Sequence, residues 1–188
     1  DNTDPIERLF IQWGFSQVFP SKTLCAHVTT WNKDASIKFR TDVAMMCKLG
    51  FDIKMSDLNP NEQVYCRQAV TEYNRLKPVI LEGDLYRLVS PYGSNHTSSM
   101  YVNKDKNQAI VFAFDVYPRY GEHILPVRLQ GLEANKMYQV KEINLMPGAS
   151  SSVNGNGQTF SGEYLMNVGL DLFTGYKLNS RIIEIIAQ

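Results

Sequence analysis

The chain has 188 residues, 44% hydrophobic and 20% charged, the balance of an ordinary globular protein long enough to bury a core. Lysine plus arginine and aspartate plus glutamate number 19 each, so no polybasic field directs it to nucleic acid or an anionic membrane, and a neutral ligand such as a carbohydrate fits better than a phosphate. No run approaches the ~20 apolar residues of a membrane span, and the opening, with Asp1, Asp4, Glu7 and Arg8, does not read as a secretory signal.

Asp4-Pro5-Ile6-Glu7 has the form of a helix start: an N-cap, a proline in the first turn and a capping-box glutamate. Ile6, Leu9, Phe10 and Trp13 recur at helical spacing, and Gly14 reads as the stop. The apolar run Thr23–Val28 predicts a buried strand. A second helix is expected over Phe39–Lys48, with Phe39, Val43 and Met46 on one face and Gly50 beyond its end. Asn59-Pro60-Asn61-Glu62 opens a third, carrying Tyr65, Ala69, Tyr73 and Leu76, with Pro78 predicted to terminate it. Helix, strand, helix is part of an α/β pattern.

From about Val79 the period changes to two. Leu85–Val89, Met100–Val102, Ala109–Val116, Val127–Leu129, Met137–Ile143, Tyr164–Met166 and Arg181–Ile186 all read as strands, separated by turn signals such as Lys104-Asp105-Lys106-Asn107. Short strands at this spacing predict an antiparallel β-sandwich. The fold class expected is therefore α/β followed by all-β, with residues 1–77 and 78–188 as its two parts.

Few residues stand out chemically. Cys25, Cys47 and Cys66 are odd in number and lack metal-ligand or CxxC spacing, so they read as buried free thiols. No metal site or cofactor is expected; Asp52, Asp57 and Asp84 do not have calcium-loop spacing. His96 and His123 lie in polar stretches and read as surface residues. His27, late in the first predicted strand, reads either as a satisfied core group or as a substrate contact. Trp13 falls on the core face of its helix, whereas Trp31, in a Thr-Thr-Trp-Asn-Lys loop, is the aromatic residue best placed to stack on a sugar.

Asp1-Asn2-Thr3-Asp4-Pro5-Ile6-Glu7-Arg8-Leu9 resembles the family 36 glycoside hydrolase signature Ser-Asp-Asn-Thr-Asp-x-Ile-Glu-Arg-Leu from its second position onward. Pro20–Val28 is similar to that family's Pro-x-x-x-Met-Gly-Ala-His-Val, and Arg40–Phe51 to Arg-x-x-Val-Ala-Met-x-Gly-x-Leu-Gly-Tyr. Asp84–Leu88, Ser90-Pro91 and Ser161–Met166 resemble later segments in the same order. Cys25 and Cys47 stand where the family usually has glycine, small-for-small changes that could alter pocket shape.

The resemblance to the α-galactosidase (melibiase) type implies the last elements of a (β/α)8 TIM barrel followed by a C-terminal antiparallel β-sandwich. It implies a retaining, exo-acting enzyme that removes terminal α-D-galactosyl residues from oligosaccharides of the raffinose or melibiose kind, and a homo-oligomer. In retaining enzymes two carboxylates about 5–5.5 Å apart serve as nucleophile and acid/base. The family's acid/base matches Asp1; its nucleophile, in a Lys-x-Asp segment further upstream, has no counterpart here, so residues 1–188 alone are expected to be inactive. The residues themselves favour Asp1 over Asp4, because Asp4 is expected to be occupied with helix amides. Trp31 and His27 are the candidate substrate contacts. Two other readings remain open: a carbohydrate-binding or interaction module built on the β-domain, and an α-N-acetylgalactosaminidase of the same family.

Overall fold

The computed structural model describes residues 2–188. Helix α1 spans Pro5–Phe15, capped by Asp4, whose side chain accepts from the amides of Ile6 at 2.8 Å and Glu7 at 3.2 Å. Strand β1 follows at Cys25–Val28, then α2 at Ile37–Met45, capped by Ser36. Strand β2, Lys48–Phe51, begins at the last residue of the expected second helix and contains the Gly50 read as lying beyond its end. It pairs parallel with β1, with His27 opposite Gly50. Helix α3, Pro60–Glu82, begins with the expected Asn59–Glu62 capping box.

Pro78 does not end α3. The helix runs through it for another turn and stops at Gly83, so the expected limit at residues 77 and 78 falls inside a helix. Proline removes one backbone bond, which the buried Leu76, Val79 and Ile80 outweigh by anchoring that turn in the core.

The remainder forms one six-stranded antiparallel sheet from β3 (Asp84–Val89), β4 (His96–Val102), β5 (Gln108–Asp115), β6 (Met137–Ile143), β7 (Thr159–Ser161) and β8 (Asn179–Ala187), in the order β3-β4-β5-β8-β6-β7. Alternation sorts its side chains. Ile110, Phe112, Phe114 and Ile182 pack on the helices together with Phe39, Tyr65 and Leu76. Ala109, Val111, Ala113, Ile183 and Ile185 face the other way. The central strands are therefore apolar on both faces, like strands covered on both sides.

The second sheet of a sandwich is absent among the described residues. Its place is taken by extended chain: Val127, Leu129, Leu132, Leu170 and Leu172 cover the outer face. Val127–Leu129 contributes only an isolated bridge, Val127 to Leu170. Tyr164–Met166, expected as a strand, lies in a short helix, α4 (Gly162–Asn167), because the Ser161 hydroxyl caps the Tyr164 amide at 3.1 Å.

Candidate active site

The two segments that sequence reasoning singles out, the start of the chain and the loop after β1, meet at Thr29. Its backbone directly follows β1, whose last carbonyl, on Val28, accepts from the Asp52 amide at 2.9 Å. The Thr29 hydroxyl donates to Thr3 Oγ1 at 3.0 Å and accepts from the Trp31 amide at 3.2 Å. Its carbonyl accepts from Arg40 Nη1 at 2.6 Å. One buried threonine thus joins the segment before α1, the loop carrying Trp31 and helix α2.

Asp1, the expected acid/base, lies outside the described residues. The chain beside it is held firmly: Asn2 Oδ1 accepts from the Asp4 amide at 2.8 Å, and Asp4 caps α1. Asp4 is therefore engaged as the sequence indicates. Trp31 is 59% exposed, with its ring free of the core.

His27 is exposed in residues 1–188. Along β1, Ala26 and Val28 are buried against the helices, whereas Cys25 and His27 lie on the opposite, exposed face. The His27 ring lies across Gly50. A Cβ added there would stand 2.4 Å from His27 Cδ2 and 3.0 Å from Nε2, so the missing side chain at Gly50 is what admits the ring. Thr3, Arg8, His27 and Arg40 line one crevice between α1, β1 and α2.

Arg8 and Arg40 support this arrangement from below. Arg8, buried, donates from Nη2 to the Cys25 carbonyl at 2.9 Å and from Nε to Gln12 Oε1 at 3.3 Å. Gln12 in turn donates to the Val43 carbonyl at 3.1 Å. Burial lowers the Arg40 guanidinium from its ordinary value, opposed by the Glu62 carboxylate and then by Cys66. Arg40 Nε is buried and has no hydrogen-bond partner among the described residues.

The cysteines divide. Cys47 and Cys66 are buried free thiols as expected, but Cys25 is exposed on the His27 face. Burial pushes the Cys47 thiol up to about 12, which leaves it protonated and inert at neutral pH. Among the described residues no group of three His, Cys, Asp or Glu side chains is placed to hold a metal ion, and no helix is long and apolar enough to cross a membrane.

Sequence reasoning missed two buried polar clusters. Asp42, fully buried on α2, pairs with Lys38 and accepts from Ser180 Oγ at 2.7 Å, Asn144 Nδ2 at 2.6 Å and the Tyr65 hydroxyl at 3.2 Å. Burial first, then the Asp42 carboxylate, pushes the Tyr65 phenol well up, so it stays a donor. His96 is likewise buried, not a surface residue: Nδ1 lies 2.8 Å from Asp115 Oδ1 and the ring packs on Phe173 at 4.6 Å. His123 is exposed, and Trp13 is half-buried on α1. No local pattern announces these clusters, since Asp42 lies 138 residues from Ser180 and His96 19 from Asp115.

Known proteins with the same arrangement identify the lineage. Residues 1–83 match the family model described as Melibiase, and residues 96–185 match that of the Glycosyl hydrolase family 36 C-terminal domain. The chain belongs to glycoside hydrolase family 36. Family 36 relatives include alpha-galactosidase 2 of Hypocrea jecorina, 30% identical over the whole of this chain and 24% of that protein. Alpha-galactosidase AgaA of Geobacillus stearothermophilus is 32% identical over 79% of this chain and 21% of its own length. The crystal structure of the family 36 α-galactosidase AgaB from the same organism superposes with a TM-score of 0.87 at 29% identity, covering 100% of this chain and 25% of that one. A variant of AgaA in complex with raffinose superposes with a TM-score of 0.86 at 27% identity, again over 100% of this chain and 25% of that one. The chain thus spans about a quarter of the length of these relatives.

Proposed function

We propose that residues 1–188 belong to a retaining, exo-acting α-galactosidase that removes terminal α-D-galactosyl residues from raffinose-type oligosaccharides. The observation that carries this reading is the Thr3–Thr29–Trp31 junction, which brings the segment adjoining Asp1 against a strand-end loop bearing an exposed indole. Active sites of (β/α)8 barrels are built from loops of that kind. Residues up to the end of α3 are the last barrel elements: two parallel strands, each followed by a helix, with Cys25 and His27 on the barrel's inner side. The sheet from β3 to β8 is the C-terminal domain packed on them. Asp1 is the acid/base, protonating the leaving oxygen and then deprotonating the incoming water. The nucleophile comes from chain outside these residues, so residues 1–188 alone do not turn over glycosides. Trp31 stacks on the substrate and His27 borders its pocket, and the full-length enzyme is a homo-oligomer. The raffinose bound to the AgaA variant and the α-galactosidase names of the relatives favour this substrate over an α-N-acetylgalactosaminide or a separate sugar-binding module.

The test is Asp1→Asn in the full-length enzyme. Hydrolysis of raffinose, whose leaving sugar must be protonated, is expected to fall about 10²–10⁴-fold. Activated aryl galactosides should lose much less in kcat/KM, which reports the glycosylation step alone. Raffinose hydrolysis left intact would remove Asp1 from the acid/base role.

A further inference from the structure

The Thr29 hydroxyl is used both ways: it donates a hydrogen bond to Thr3 Oγ1 and accepts one from the Trp31 amide, and neither partner belongs to β1. Burial alone does not account for a hydroxyl here, because valine has the same shape and would fill the site without polar partners. What the hydroxyl adds is direction: it fixes the Thr3 segment relative to the Trp31 loop. Thr3 is two residues from Asp1, and two residues of chain reach at most about 7 Å.

Arg40 completes the junction. A guanidinium is permanently charged and usually meets a carboxylate. Here Nη1 holds the Thr29 carbonyl at 2.6 Å, and no carboxylate lies within ion-pair distance among the described residues. Arg40 Nε is buried without a partner among them. Placing a half-buried cation on a loop carbonyl is costly. It serves to hold that loop rather than the helix from which Arg40 projects.

We propose that Thr29 and Arg40 are positioning residues for proton transfer, clamping the segment next to Asp1 onto the strand-end loop so that the acid/base addresses the leaving oxygen from a fixed direction. The inference rests on the reading of Asp1 given above. Misplacing a reacting group by ~1 Å costs about a hundredfold in rate.

The experiment compares Thr29→Val, Thr29→Ser and Asp1→Asn in the full-length enzyme on raffinose and on an activated aryl galactoside. For Thr29→Val, kcat/KM on raffinose should fall about 10–100-fold, through kcat more than through KM. The aryl galactoside, whose leaving group hardly needs a proton, should lose at most a few-fold in kcat/KM, which reports the glycosylation step alone. Thr29→Ser, which keeps the hydroxyl, should recover most of the raffinose rate. Equal losses on both substrates, or no loss on either, would overturn the clamp. Should Thr29→Val not fold, Arg40→Lys keeps the charge and loses the fork; the same split is expected there, and equal losses would again overturn the proposal. A split for Asp1→Asn without one for Thr29→Val removes the clamp alone, whereas no split for Asp1→Asn removes both readings.

Discussion

The β1–β2 pair and the six-stranded sheet differ in how much of their surface the chain covers. Every residue of β4 is buried, and β5 and β8 pack apolar side chains on both faces. Among the described residues the β1–β2 pair is covered on one side only, by helices that include α2 and α3; Cys25, His27 and Lys48 on or beside its other face are exposed. The residues of the candidate site gather on the open pair and the loops at its end. The large sheet supplies burial, and its polar side chains are turned inward as pins. On the reading proposed above, the uncovered face of the pair is the one that the rest of the barrel would line.

The two regions are nevertheless joined, and the joints offer ways to break the comparison. Asp42 of α2 reaches both Asn144 and Ser180 of the sheet region. Asp42→Ala leaves Lys38, Tyr65, Asn144 and Ser180 without their common partner and should destabilise the full-length protein by about 3–5 kcal/mol. A chemical-denaturation midpoint within experimental error of wild type would show that the regions stand independently. Gly83 is the next joint, where α3 gives way to β3. A Cβ there would lie 2.4 Å from the Val79 carbonyl oxygen and 2.7 Å from that of Val102, both backbone atoms that cannot swing aside. Gly83→Ala should therefore cost about 1–3 kcal/mol, read from thermal melting.

A smaller effect sharpens the contrast inside the α/β region. Cys47 is buried and its thiol is raised from 9.0 to about 12, chiefly by desolvation. Its folded value exceeds its unfolded one, so the unfolded chain releases this proton first as pH rises. The contribution is full below about 9 and declines as pH climbs toward 12. The melting-temperature gap between wild type and Cys47→Ala should thus narrow between pH 8 and 10.5; a constant gap would contradict the burial.

Much of this was legible locally. Asp4 before Pro5 and Asn59 before Pro60 cap their helices as read, because capping needs only a side chain and amides two or three residues away. Strands β3, β5, β6 and β8 follow from period-two patterning. The misreadings share one cause. Lys48–Phe51, for which no strand is expected, pairs as one because β1 offers it a parallel partner. Pro78 stayed helical because its neighbours are buried. His96 went inside because Asp115 and Phe173 receive it. The Ser161 cap of α4 was a local signal that the apolar run Tyr164–Met166 obscured.

By itself the sequence determined the starts of α1 and α3, most strands and the family, since each depends on residues close in the chain or on collinear motifs. It also marked Trp31 and the segment Asp1–Asp4 as the places where chemistry would gather. Only the tertiary structure decided that these two places meet at Thr29, that His27 turns to the open face across Gly50, and that Asp42 pins α2 to a sheet assembled a hundred residues later. Such contacts depend on partners far apart in the chain, which folding brings within about 3 Å, the reach of a hydrogen bond.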